Sequence, residues 1–134
     1  MKELHELNFK NDCWYSREHT WAKKVKNQVI IGISDYAQDQ LGEIIFMQLP
    51  ETGDAFEPES EFGFVESAKS VSELYIPLAG EMISINSSLE DKPEKINEAP
   101  FNEGWMIKIR PNDLKNIEQL MTADEYKKHI GLQE

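Results

Sequence analysis

The sequence predicts a mostly β fold with one short internal helix and further helices at its C-terminal end. Three observations point there. Residues 61–86 hold two arms rich in aromatic and β-branched residues, 61–67 and 71–76, then an alternating run over 81–86. Earlier, residues 17–25 and 28–33 flank a polar Lys26-Asn27 pair, the pattern of two strands joined by a turn. Helix signals, by contrast, are confined to short windows: one that begins at Ser34, a turn before Pro93 and two after Pro111.

The elements follow in order. Residues 1–12 are charged and weakly periodic, a frayed tail or one peripheral helical turn, and Trp14, Tyr15 and Ser16 begin the ordered chain. After the first strand pair, Ser34 offers its hydroxyl as an N-cap to a short helix over 35–41. Gly42 then stands where a left-handed residue closes that helix. Residues 43–49 return to strand and 50–54 turn. In the first arm Phe62 and Phe64, with Ser67 or Val65, head for the core. Pro77 and Gly80 permit a bend before the run over 81–86. Residues 87–97 are polar, with one helical turn before Pro93. Gly104 permits another turn, and Trp105, Ile107 and Ile109 share one face of a strand, with Trp105 as a core plug. Leu114, Ile117 and Leu120 or Met121 fall at helical spacing. Thr122 and Glu125 form a capping box that starts a last helix through Tyr126 and Ile130, with Gly131 as its stop. The chain is expected to be one domain over 1–134, with 1–13 a peripheral tail and the central hairpin at about 61–86.

Composition narrows the function. The 134 residues suffice for a single core without staples. Fourteen basic residues against 25 acidic ones leave a net charge of −11, which argues against nucleic acid or an anionic membrane as partner. An acidic surface suits a soluble monomer that visits several other proteins. Cys13 is the single cysteine, so no internal disulfide forms, and beside Trp14 and Tyr15 it reads as a small packed residue. The N-terminal stretch lacks an apolar signal region, and the apolar runs at 29–33 and 44–47 are strand length; a cytoplasmic protein is expected. No phosphate loop, metal-ligand spacing or nucleophile triad stands out.

Between the two arms, Ala68, Lys69 and Ser70 make a tight reversal that sets the Lys69 ammonium in water at a hairpin tip. A lysine so placed is ordinarily just a solvated charge. This one has a more particular setting. Glu66-Ser67-Ala68-Lys69-Ser70-Val71-Ser72-Glu73-Leu74-Tyr75, followed by Pro77 and Gly80-Glu81, resembles the lipoyl-lysine hairpin of the glycine cleavage system H-protein family. A biotin carrier would flank the lysine with methionines, and the lipoyl domains of 2-oxo acid dehydrogenases usually place an aspartate before it. The likeness extends through Tyr15, Glu18-His19-Thr20-Trp21, Gly32-Ile33-Ser34-Asp35, Ala37-Gln38-Asp39-Gln40-Leu41-Gly42-Glu43 and Leu49-Pro50-Glu51-Thr52-Gly53. It continues through Asn86, Leu89, Pro93, Ile96 and Asn97 into Pro100-Phe101-Asn102-Glu103-Gly104-Trp105-Met106-Ile107-Lys108-Ile109.

The resemblance implies a barrel-sandwich hybrid of two antiparallel sheets, like other lipoyl and biotinyl carriers, and lipoic acid bound as an amide to Lys69. It implies a non-catalytic carrier subunit. Lipoate ligase or an octanoyl or lipoyl transferase would load it, glycine decarboxylase would pass it the aminomethyl group of glycine, aminomethyltransferase would take that group on, and dihydrolipoyl dehydrogenase would reoxidise it. The loaded arm would rest in a cleft for which Glu18, His19, Thr20, Glu66, Ser67 and Glu73 are the candidates. Thr20 departs from the family pattern, which usually has glutamate there. It is either a tolerated strand substitution or the mark of a related lipoate-binding protein of another pathway, such as sulfur oxidation with heterodisulfide-reductase-like partners or a lipoyl relay. An enzyme in its own right and an unmodified interaction module stay open beside these.

Overall fold

In the computed structural model, which describes residues 3–131, nine strands build two antiparallel sheets around a shared core. The chain opens with a 3-10 turn (Leu4–Glu6), then runs β1 (Trp14–Tyr15), β2 (Thr20–Val25), β3 (Gln28–Ile33), α1 (Asp35–Leu41), β4 (Ile44–Gln48) and β5 (Ala55–Phe56). Next come β6 (Glu61–Ser67), β7 (Val71–Tyr75), β8 (Gly80–Ile85), α2 (Ser88–Asp91), α3 (Lys95–Glu98) and β9 (Ile107–Pro111), before a 3-10 helix (Leu114–Gln119) and α4 (Ala123–Gly131). The larger sheet has the order β1-β2-β3-β9-β8-β5 and the smaller β4-β6-β7. The expectation of a mostly β fold of two antiparallel sheets with short helices is met.

Alternation along the strands explains how the layers hold together. On β3, Val29, Ile31 and Ile33 point into the core between the sheets, where they join Ile107, Ile109 and Met82 of their own sheet and Ile44, Met47, Phe62, Val65 and Leu74 of the other. Trp21 faces the opposite side, into a second cluster with Tyr15, Tyr126 and Ile130. The large sheet is therefore covered on both faces near its β1 edge, by the small sheet on one side and by α4 on the other. The helix caps read from the sequence form: Ala37 N–H donates to Ser34 Oγ at 3.1 Å, and Thr122 and Glu125 exchange bonds of 2.9 and 3.2 Å.

Four readings are corrected. The segment expected as a frayed tail or one peripheral helical turn holds the 3-10 turn at Leu4–Glu6 and is packed rather than frayed: Leu7 is buried, Phe9 meets the Tyr126 ring edge to face at 6.0 Å, and Asn8 N–H donates to Asp35 Oδ2 at 2.8 Å. Its apolar residues cover the aromatic cluster without regular spacing, so periodicity gave no warning. Phe64 does not share the inward face with Phe62. A bulge between Glu61 and Gly63 puts two β6 residues opposite one on β7, and beyond it Val65 and Ser67 point inward while Phe64 turns out. Trp105 is half-buried rather than a core plug, with the Lys108 ammonium 4.8 Å from its ring, and Met106 is fully buried in its stead. The strand β5 and the helix α3 fall where only turn or polar chain was expected.

Gly63 pins the small sheet. A Cβ there would overlap the Gln48 carbonyl oxygen on β4. Gly63→Ala is expected to destabilise the protein by about 1–3 kcal/mol through this overpacking, read from the denaturant midpoint at unchanged slope.

Candidate functional site

The β6–β7 hairpin reverses over Ala68, Lys69 and Ser70, and all three are exposed. Ser67 sets the reversal. Its buried hydroxyl accepts from the backbone N–H of Lys69 at 3.3 Å and of Ser70 at 3.2 Å, while its own N–H donates to the Ser70 carbonyl at 2.8 Å. A serine hydroxyl bonding the backbone of the next residues tightens the turn with no large side chain at the tip. Lys69 is thus presented on a braced apex.

The lysine stem leans over the end of α1. Its Cε and Nζ lie 3.6 and 3.9 Å from where a Cβ on Gly42 would stand. Gly42 has φ 79° and ψ −162°, backbone that is essentially open to glycine alone, and its N–H closes the helix on the Gln38 carbonyl at 3.0 Å. Asn97 of α3 holds this corner from below. Its Nδ2 donates to Gly42 O at 2.8 Å and Gln38 Oε1 at 2.9 Å, and its Oδ1 accepts from Ile44 N–H at 2.8 Å. Asn97, part of the family likeness but not one of the site candidates, is a positioning residue.

Beside the tip a cleft of about 250 Å³ opens between α1 and β7. Tyr36, Ala37, Gln40 and Leu41 give it one wall, Ser72, Glu73 and Leu74 the other, and Glu18 and His19 close its end. Leu41 of this wall precedes Gly42, the residue over which the lysine stem leans.

Of the sequence candidates, the fold brings Glu18, His19 and Glu73 together in this cleft. The other three are placed elsewhere. Thr20 is 1% exposed, and its Oγ1 sits 2.6 Å from Ser16 Oγ, so it packs in the interior of the β2 start. Ser67 builds the turn. Glu66 stands on the outward face of the small sheet, opposite Phe46 and Val71, and is not part of the cleft lining.

His19 is held in place. Its φ is 70°, and its Nδ1 lies 2.9 Å from Tyr126 Oη, which lies 2.7 Å from the capping hydroxyl of Ser34. The cleft end, the start of α1 and helix α4 are thereby tied in one network. Burial, and secondly the nearby His129, push the His19 pKa below its ordinary 6.5. The neutral ring leaves the cleft with the carboxylates of Glu18 and Glu73 and no imidazolium opposing a bound cation. The unfolded chain binds the His19 proton first, so this group withdraws stability as pH falls below 6.5, until the folded ring protonates in turn. His19→Asn, which tolerates positive φ, is expected to lose less stability between pH 7 and 5 than the parent chain, read by denaturant titration at both values.

Among the described residues no group of three or more His, Cys, Asp or Glu side chains is placed to hold a metal, and no helix is long and apolar enough to cross a membrane.

Comparison with known proteins agrees with this geometry. The family model described as glycine cleavage H-protein matches residues 13–132. The glycine cleavage system H protein of Halalkalibacterium halodurans is 49% identical over 124 residues, covering 92% of this chain and 97% of its own. That of Staphylococcus carnosus is 50% identical over 117 residues, covering 87% and 93%. A crystal structure of a glycine cleavage system H protein from Mycobacterium marinum superposes with a TM-score of 0.84 at 31% identity, over 91% of this chain and 98% of that one. An exposed lysine on a braced β-hairpin, the two-sheet fold and these likenesses agree: the chain belongs to the glycine cleavage H-protein family.

Proposed function

We propose that this member of the family acts as the carrier of the glycine cleavage system through a lipoyl amide on Lys69 Nζ. The observation that carries the reading is the lysine itself, exposed on a turn braced by Ser67 and leaning over Gly42 at the end of α1, the helix that walls the cleft. The residues present fit such a group. Ala68 and Ser70 leave the amine open to an acylating enzyme, and Ala37, Leu41 and Leu74 offer apolar contact to an alkyl arm. When bound, the lipoyl group supplies a redox-active dithiolane that carries a one-carbon amine between enzymes.

The chain's own residues then position and shelter. The walls of α1 and β7 shield the arm from water, while Glu18 and Glu73 offer charge-assisted bonds to a cationic amine at its end. Tethering holds the cargo at high effective concentration for each partner within reach. The proposed partners are glycine decarboxylase, aminomethyltransferase and dihydrolipoyl dehydrogenase, with lipoate ligase or an octanoyl or lipoyl transferase for loading. Catalysis rests with them.

The pathway alternative drew on Thr20. Its burial against Ser16 accounts for a threonine there as strand packing, and the comparisons lend nothing to a sulfur-oxidation or relay role. Two measurements test the reading. Intact mass of protein from lipoate-replete cells is expected to show a lipoyl adduct that peptide mapping places on Lys69. The loaded protein is expected to support bicarbonate exchange by glycine decarboxylase, and a loaded protein without exchange overturns the pathway.

A further inference from the structure

Among the described residues, the large hydrophobic side chains left exposed are Val25, Ile45, Phe46 and Val71, and the last three lie on the small sheet or at its bulge, at 54%, 48% and 59% exposure. The register sets Phe46 and Val71 on one surface. Phe46, Glu66 and Val71 stand side by side across β4, β6 and β7, and Gln48, Phe64 and Glu73 make the next row. The Phe46 and Phe64 rings meet at 6.0 Å. Met47 and Val65, between these rows in sequence, are buried on the other face. The small sheet, two strands of which end in the Lys69 tip, therefore carries an apolar stripe to solvent, with Glu66 set in it and Glu73 at its β7 edge beside the cleft.

We propose that this outward face is the docking surface for the enzyme that acylates Lys69, a protein presenting apolar side chains ringed by lysine or arginine. The inference rests on Lys69 as the attachment site. Position selects this occupant. Nζ stands only a four-carbon stem from the ends of β6 and β7, so an enzyme that closes on it comes against the strands next to the tip. An enzyme that works on the far end of a loaded arm acts on the carried group and not on Nζ itself. Charge selects its chemistry. A chain of net charge −11 whose apolar stripe holds Glu66, with Glu73 at its edge, repels a second copy, which would set acid against acid, and attracts a cationic rim. Exposed aromatics are the usual anchors of such contacts.

The step served is amide formation. The neutral Nζ attacks the carbonyl of an activated acyl donor, an acyl adenylate or a carrier-bound thioester. The N–C bond forms, the acyl–oxygen or acyl–sulfur bond breaks, adenylate or thiol departs, and Nζ gives up a proton to the enzyme.

The test uses the full chain with a lipoate ligase, ATP and lipoate, and intact mass as the readout. Phe46→Ser combined with Val71→Ser is expected to lower kcat/KM for acylation at least about tenfold, as loss of interface anchors does. Val25→Ser, an exposed apolar change on the larger sheet, is expected to leave it unchanged. Both should keep the parent denaturant midpoint, since these side chains are exposed. Added salt should slow the parent reaction. Once driven to full loading with excess ligase, the double variant should support parent-level glycine decarboxylase exchange. Unchanged acylation of the double variant overturns the proposal. So does a defect confined to exchange, which would give the face to a downstream enzyme, or a parent dimer in sedimentation that the variant abolishes. Absence of any adduct on parent Lys69 instead defeats the attachment reading itself.

Discussion

Lys69→Arg is expected to leave the protein without a lipoyl adduct and to reduce glycine decarboxylase exchange to the level without carrier. Arginine keeps the positive charge and most of the stem, but its guanidinium stays protonated and does not serve as the acyl-accepting amine. The side chain is exposed and Ser67 bonds only its backbone N–H, so the unfolding midpoint should match the parent within about 0.5 kcal/mol. Loss of carrier activity without loss of stability is the signature of a chemical role rather than a structural one. An adduct on another lysine with exchange retained would contradict the assignment. Mass spectrometry and the exchange assay on one preparation decide it.

The largest structural effect is expected at Trp21. Its ring is 1% exposed, its Nε1 donates to the Pro100 carbonyl at 3.0 Å, and Phe101 lies 5.7 Å away centroid to centroid. Gly32, opposite it on β3, is bare because a Cβ would come 2.8 Å from the indole. Trp21→Ala would leave a large cavity and an orphaned carbonyl, at a cost of about 3–5 kcal/mol. For a chain of this size that lowers the midpoint by roughly 10–20 °C by calorimetry. Trp21→Phe, which keeps much of the volume, should lose less. Because Thr20 and His19 precede Trp21, the cleft end should loosen with it.

The sequence revealed Lys69 because the signal was local: a small-residue reversal between two strand-like arms, with neighbours that match a family motif. Ser34 with Gly42, and Thr122 with Glu125, were legible for the same reason, since caps join residues a turn apart. Glu18 and His19 were legible through their motif and Glu73 through its nearness to the lysine, and all three line the cleft. Thr20 and Ser67, drawn from the same motifs, turned inward, and strand alternation alone does not tell which neighbour lines a cavity.

What escaped depends on pairing. The bulge that turns Phe64 outward arises from one extra β6 residue opposite β7, and a period-two reading carries its phase straight through it. The clamp by Asn97 on Gly42 and Ile44 joins residues 55 and 53 apart, and the packing of Leu7 and Phe9 closes a cluster built largely by α4.

The amino-acid sequence by itself determined the fold class, the family and the presented lysine, because each is written in neighbours whose backbone preferences and small side chains act within a few residues. Only the tertiary structure decided which acids meet in the cleft, that Thr20 is structural, and that an apolar face flanks the tip. Those depend on strand register and on contacts between distant segments, where a shift of one residue exchanges inside for outside.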